Sequence, residues 1–173
     1  MAGALTIIAV GGIAWAAMAP APEDRKPTTL PAFELELLGQ SGTLSSADLR
    51  GHPAVINFWA SWCGPCNREA PALESTWRRY EDEGVLFLGI DVRDIESQAE
   101  AFLEKHDITY PSVRDPDQIL VEAMKIGDPL PQTFFIDAAG KIQTGSGLGE
   151  ISAKELETQI ELLLDLAPAP AES

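Results

Sequence analysis

Residues 56–71 read INFWASWCGPCNREAP. The chain's two cysteines, Cys63 and Cys66, both lie here, three residues apart and directly behind an apolar run. That run, AVINFWA at residues 54–60, has strand length and almost no polar residue, which suits a central strand buried on both faces. From Pro65 to about Glu83 the sequence reads as a helix, with Pro71 as an expected kink. The cysteines therefore fall at a strand-to-helix junction, with Cys63 at the helix entrance and Cys66 in the first turn. Residues three apart share a helix face, so the two sulfurs can close a disulfide or stand as thiols with little movement between the states. The free N–H groups and dipole at a helix N-terminus stabilise negative charge. That lowers the pKa of Cys63 and raises its thiolate fraction. Pro65 suits the first turn because its missing N–H would have no helical partner there. One thiol is thereby a nucleophile, and the second can resolve a mixed disulfide.

Three other readings compete. A purely structural disulfide would close a very small loop and stabilise little. A metal site needs more ligands than two thiols. The only histidines are His52, in the RGHP loop, and His106, near a helix C-terminus where a cation suits the dipole. Two inert buried cysteines would leave the aromatic, Gly and Pro context unexplained. No metal and no cofactor is expected.

The rest of the chain supplies a mixed pattern. VLFLGIDV is a second buried strand, so the first unit is strand, helix, strand, with a right-handed crossover and a parallel pair. Before it, FELELL alternates as a half-buried strand does, GQSG turns, and TL returns. After it, DIESQAEAFLEKHDI reads as a helix with Ile95, Ala99, Phe102 and Leu103 at helical spacing. Residues 111–113 suit a short strand and DQILVEAMKI another helix. PLPQTFFIDAAGKIQTGSG reads as a strand, a tight turn at Ala138, Ala139 and Gly140, and a returning strand. SAKELETQIELLLDL closes the domain as an amphipathic helix, with Ser152 as N-cap and Glu155 completing a capping box. The fold class is α/β, a central mixed sheet flanked by helices.

A chain of 173 residues fits one domain. Its formal charge of −15, from 27 acidic against 12 basic residues, repels phosphate backbones and argues against nucleic-acid binding. The same charge argues against resting the folded domain on an anionic membrane surface. Residues 1–22, MAGALTIIAVGGIAWAAMAPAP, carry no charged side chain, close to the ~20 residues that span a bilayer. They read either as an uncleaved membrane anchor or as a signal peptide cleaved after Ala17-Met18-Ala19. The lack of Lys or Arg before Arg25, and Pro20 directly after Ala19, favour the anchor. Residues 23–31 read as a proline-rich tether, 32–166 as the domain and 167–173 as a disordered tail. The glycine-rich TGSGLGE lacks the Lys of a phosphate loop and reads as a turn; YEDEG reads as a solvated helix end.

FWASWCGPC resembles the active-site segment of the thioredoxin superfamily. The longer set NFWASWCGPCNREAPAL, GIDV and PLPQTFFIDAAGKI is similar to the membrane-anchored TlpA/ResA-like thiol–disulfide oxidoreductases, over about residues 33–166. The resemblance implies a thioredoxin-like fold with an N-terminal hairpin extension and a central insertion at 94–125. It implies that Cys63 and Cys66 are catalytic, and that Pro131 is a cis-proline facing them, with Leu130 before it. A cis X-Pro bond exposes the preceding backbone, which can pair with an extended substrate. Trp62 would add a contact surface for that substrate, whereas Trp59 would be core. The family is extracytoplasmic, and some members serve cytochrome c maturation. The implied partners are disulfide-bearing exported proteins, apocytochrome c among them, and a transmembrane electron donor of DsbD/CcdA type.

One departure matters. Cytoplasmic thioredoxins usually carry a buried Asp in the strand before the cysteines, and this chain has Asn57 there, which cannot accept and release a proton. TlpA/ResA-like proteins keep a Glu near the active site, and Glu69 stands at that place, three residues past Cys66. Its expected role is to modulate the cysteine pKa values and help proton transfer; alternatively it is a first-turn acid favoured by the dipole alone. Two other functions stay open. A thiol peroxidase uses a similar fold, but its Pro-x-x-x-Thr-x-x-Cys pattern is absent, with Ala60 in the Thr place. A non-catalytic interaction module would not need the thiols at all.

Overall fold

Strand β3 (Ala54–Trp59) stands at the centre of a five-stranded sheet in a computed structural model that describes residues 28–143, 145 and 147–166. The sheet order is β5 (Ser112–Arg114), β4 (Leu86–Asp91), β3, β6 (Gln132–Ile136), β7 (Gly147–Leu148). β3 pairs parallel with β4, from Ala54 opposite Leu86 to Trp59 opposite Asp91. On its other side it pairs antiparallel with β6, from Ala54 opposite Ile136 to Phe58 opposite Gln132. All six β3 residues are buried, as an apolar run without alternation requires.

The helices are α1 (Gly64–Tyr80), α2 (Glu96–Lys105), α3 (Ile119–Met124) and α4 (Ala153–Leu166). Successive strand residues point to opposite faces, and the core divides accordingly. Val55, Phe87 and Phe135 pack with Leu73 of α1 and with Leu156, Ile160 and Leu163 of α4. Ile56, Phe58, Leu88, Ile90 and Phe134 pack with Phe102 of α2 and with Leu120 and Met124 of α3. The parallel pair, the antiparallel β6 and the flanking helices form the thioredoxin-like arrangement that the resemblance implies.

An N-terminal hairpin, β1 (Glu34–Glu36) with β2 (Thr43–Ser45), precedes this unit. Its tail covers the sheet edge: Leu37 bridges Val113, and Leu38 N–H donates to the Ser112 carbonyl at 2.8 Å. The edge strand β5 is thus protected from pairing with another chain. Ser152 and Glu155 exchange the reciprocal capping bonds at the start of α4 that the sequence predicts. Helix α1 carries Pro71 within it and ends in a 3-10 turn at Glu81–Glu83.

Two local readings differ from the structure. Ile95 lies just before α2 and is 61% exposed, so the apolar face of that helix begins at Ala99. Thr28 to Leu30, read from sequence as the end of a tether, pair with the 140–142 turn: Leu30 N–H donates to Gly140 at 2.9 Å and Ile142 N–H to Thr28 at 2.9 Å. The turn's exposed backbone groups supply partners that composition does not reveal. The anchor or signal segment, most of the tether and the C-terminal tail lie outside the described residues. Among the described residues, no helix is long and apolar enough to cross a membrane.

Gly89 on β4 is where the sheet is tightest. A Cβ there would lie 2.5 Å from Ser112 Oγ and 2.8 Å from the Trp59 indole nitrogen. Both neighbours are buried, and Trp59 is stacked on Phe102 with centroids 4.3 Å apart. Gly89→Ala therefore overpacks this corner and destabilises the protein by about 1–3 kcal/mol. Urea unfolding of the oxidised protein reads this as a lower midpoint at unchanged slope.

Candidate active site

Where β3 ends, the chain turns through Ala60, Ser61 and Trp62 and enters α1. Cys63 is the N-cap of α1 with an extended backbone, and its sulfur accepts the Cys66 N–H at 3.2 Å. Pro65 fills the first turn, where no amide hydrogen is needed. The two cysteines are joined as a disulfide. They are buried at 4% and 1% exposure and belong to the core cluster that includes Trp59, Ala60 and Leu130. An amide hydrogen aimed at Cys63 Sγ stabilises whatever negative charge forms there when the bond opens.

The Leu130–Pro131 peptide is cis, and so is Asp128–Pro129, which the sequence reading did not single out. Pro131 leads directly into β6, the strand beside β3. Leu130 is buried, so its side chain belongs to the core; what it can offer a substrate is its backbone. Among the described residues, Leu130 makes no backbone hydrogen bond. The loop is held from below by Gln132, whose buried amide donates to the carbonyls of Gly127 at 2.7 Å and Pro129 at 3.3 Å. Trp62 is 56% exposed, with its indole N–H tied to the Arg93 carbonyl at 3.0 Å. Arg93 in turn pairs with Asp128 at 3.0 Å, which links the cysteine loop to the proline loop.

Glu69 lies one helical turn beyond Cys66 and is 2% exposed. Asn57 Nδ2 donates to its Oε1 at 2.8 Å and to Thr133 Oγ1 at 3.0 Å, while Ile151 N–H donates to its Oε2 at 2.9 Å. Burial raises the Glu69 pKa to about 7, against the opposing pull of the Ile151 and Asn57 hydrogen bonds. A first-turn acid favoured by the dipole alone would sit in solvent; this one is enclosed and titrates near neutrality. Asn57 thus contributes as a donor that holds the Glu69 carboxyl, a contact between two strands and a helix that residue spacing does not reveal.

The sequence reading passed over a second buried carboxyl. Asp91, the last residue of β4, is 2% exposed, and burial together with the nearby Asp94 carboxylate raises its pKa to about 7. Arg114 stands 3.8 Å away. Asp94 itself accepts from the N–H of Ser61 and, at 2.9 Å, from the Ser61 hydroxyl, so it fastens the residue before Trp62. The available signal was the lone acid ending the apolar run LFLGID. His52 and His106 are apart: His52 Nδ1 lies 3.3 Å from the Gly84 carbonyl, and His106 Nε2 3.1 Å from Asn67 Oδ1. Among the described residues, no cluster of His, Cys, Asp or Glu could hold a metal ion.

The Glu69 shift has a stability consequence. Its folded-state pKa of about 7 exceeds the ordinary 4.5, so the folded chain holds the proton more tightly than the unfolded one. The associated stabilisation is complete below about pH 4.5 and is lost as pH rises through 7, a change on the order of 3 kcal/mol. Glu69→Gln should flatten that part of the stability–pH curve of the oxidised protein. The decline that remains in the same window belongs to Asp91 and should vanish when Asp91→Asn is combined with Glu69→Gln.

Comparison with known proteins agrees with this site. The AhpC/TSA family model matches residues 28–144. The thiol-disulfide oxidoreductase ResA of Geobacillus kaustophilus is 36% identical over 135 residues, covering 76% of each chain. ResA of Oceanobacillus iheyensis is 28% identical over 146 residues, covering 80% of this chain and 76% of the relative. Among solved structures, a thiol:disulfide interchange protein DsbE of Chlorobium tepidum superposes with TM-score 0.72 at 27% identity, covering 81% of this chain and 98% of that one. A secreted Mycobacterium tuberculosis disulfide oxidoreductase homologous to DsbE superposes with TM-score 0.67 at 27% identity, covering 76% and 96%. With the fold, the helix-capping cysteine pair and these relatives in agreement, the chain belongs to the AhpC/TSA family and, with ResA, to the thiol-disulfide oxidoreductases.

Proposed function

We propose that this oxidoreductase works in the reducing direction outside the cytoplasm, breaking disulfides in exported proteins, with apocytochrome c as one candidate substrate. The observation that carries the direction is Glu69. A carboxylate one turn from Cys66, ionised above about pH 7, disfavours a thiolate beside it. Disfavouring the thiolate favours the enzyme's own disulfide, which is what a reductant needs.

The geometry supports the following cycle. In the reduced enzyme the Cys63 thiolate, facing the Cys66 N–H and the α1 N-terminus, attacks one sulfur of a substrate disulfide. A bond forms between Cys63 Sγ and that sulfur, and the other substrate sulfur leaves as a thiolate and takes up a proton. The Leu130 backbone and the exposed Trp62 ring supply the surface that holds the extended substrate. Cys66 then gives its proton to Glu69 and attacks Cys63 Sγ, restoring the Cys63–Cys66 disulfide and expelling the second substrate thiolate. Two electrons have passed to the substrate. They are returned by a membrane dithiol donor of DsbD/CcdA type, with residues 1–22 anchoring the chain beside it. The peroxidase reading is less favoured, because Ala60 stands where that chemistry places Thr.

A redox titration of the full chain against a dithiol buffer tests the direction, with Trp62 fluorescence as the signal. A midpoint near that of reducing thioredoxins, about −270 mV, is the expected result, and an oxidising midpoint near about −120 mV reverses the assignment. Cys66→Ser should trap a mixed disulfide with a model disulfide substrate, and Cys63→Ser should trap none. For proton transfer, Glu69→Gln should remove the inflection near pH 7 from the rate of the resolving step and slow that step roughly a hundredfold above it. A stopped-flow pH profile that matches the parent's would remove Glu69 from the mechanism.

A further inference from the structure

Asn67 follows Cys66 directly, and its side chain makes four polar contacts. Its Nδ2 donates to the carbonyl oxygens of Ser61 at 2.9 Å and of Cys63 at 3.0 Å. Its Oδ1 accepts from Lys105 Nζ at 2.8 Å and faces His106 Nε2 at 3.1 Å. The orientation of the amide is forced, because an ammonium can only donate and two carbonyls can only accept. Lys105 and His106 close α2, whose other end holds the same loop through Asp94 and Ser61. Between these two ends Phe102 stacks on Trp59. The α2 segment therefore reaches Trp59, Ser61 and Asn67, on both sides of Cys63 in the chain, and its contact with Asn67 is the one that brings a positive charge.

We propose that Asn67 is a positioning residue for Cys63, transmitting the Lys105 charge to the Ser61 and Cys63 carbonyls of the segment that carries the attacking thiol. The inference rests on Cys63 being the attacking thiol. A cation on the oxygen side of an amide strengthens donation from its nitrogen side. The Ser61 and Cys63 carbonyls then present less negative charge to a neighbouring thiolate, and the charge itself favours the ionised form. The cation is Lys105, since burial and the Lys105 charge both lower the His106 pKa. The other charges around the loop are distinct from this path. Glu69 lies on the buried side of α1, Arg68 passes Gly64 and is paired with Glu150, and Asp94 is engaged with Ser61. The path is polar, partly exposed and short, so its effect is modest.

The test is the pH profile of Cys63 alkylation by iodoacetamide in the reduced full chain, read by mass spectrometry, together with the redox midpoint. Asn67→Ala and Lys105→Gln should each raise the alkylation midpoint by roughly half a pH unit, an about threefold loss of rate at a pH below the midpoint. Both should move the redox midpoint in the reducing direction, and Lys105→Arg should restore both values. Lys105 is exposed, so its variants fold irrespective of what Asn67 contributes to stability. A profile in Lys105→Gln that coincides with the parent's overturns the proposal. So does an Asn67→Ala variant whose urea midpoint falls while its alkylation profile and potential stay in place, since that is a structural role alone. Alkylation needs no protein substrate, so a parent that fails to reduce protein disulfides sinks the proposed function without deciding this question.

Discussion

The pairing of β3 with a parallel neighbour on one side and an antiparallel neighbour on the other is the constraint on which the site depends. It satisfies the backbone of a strand whose side chains are buried on both faces, and it fixes where that strand stops. Trp59 ends the strand, four residues remain before the helix, and Cys63 then falls at the N-cap of α1. Moving the register by one residue would turn Asn57 away from Glu69 and Thr133 and bring apolar side chains to the wrong face. The chemistry of the cysteines is therefore a consequence of strand pairing before it is a consequence of the cysteines themselves.

The buried polar groups sit where this frame meets the site. Glu69, Asn57 and Thr133 form one connected set across α1, β3 and β6, and Glu74 holds α1 to the segment after α2 through the Thr109 N–H and hydroxyl. Burying an ionised carboxylate is costly, and a chain relieves that cost by pairing it or by letting it keep its proton. Glu74 is relieved by Arg78 at 2.7 Å and by Thr109. Glu69 has hydrogen-bond donors and no cation within ion-pair distance among the described residues, so its relief is protonation, which places its titration near neutrality. The contrast between two acids on one helix is between a carboxylate paired with a cation and one held by hydrogen-bond donors alone.

Much of this was legible in the chain. The unbroken apolar run at 54–60 identified the central strand, Cys63 and Cys66 behind it identified the helix entrance, and Ser152 with Glu155 marked the start of α4. Glu69 was legible from its spacing to Cys66 and from a family resemblance. What was not legible depended on long-range contact. Asn67 reads as an ordinary helix residue until α2 brings Lys105 and His106 to it, thirty-eight and thirty-nine positions away in sequence. Asp91 reads as the end of a strand until the sheet edge and Asp94 enclose it. Ile95 has the spacing of a core residue, but the helix starts one residue later and leaves it in solvent.

In the proposed cycle the direction of electron flow depends on opposing charges at the two thiols. The α1 N-terminus and the Cys66 N–H stabilise the Cys63 thiolate, which favours the dithiol and makes the enzyme a better oxidant. The Gly-Pro pair between the cysteines does not alter this sum directly, since neither residue carries charge. Glu69 works the other way, and only above the pH at which it ionises. Against the helix terminus, common to any cysteine at an N-cap, the buried Glu69 carboxyl is what this chain adds beside Cys66. The dipole effect is confined to the first turn and is worth about 0.3–1 kcal/mol at an exposed end. A buried carboxylate near the second thiol is screened less than an exposed one. In the proposed reductase cycle, ionisation of Glu69 as pH rises through 7 then tips the balance toward the disulfide, in the sense a reductant requires.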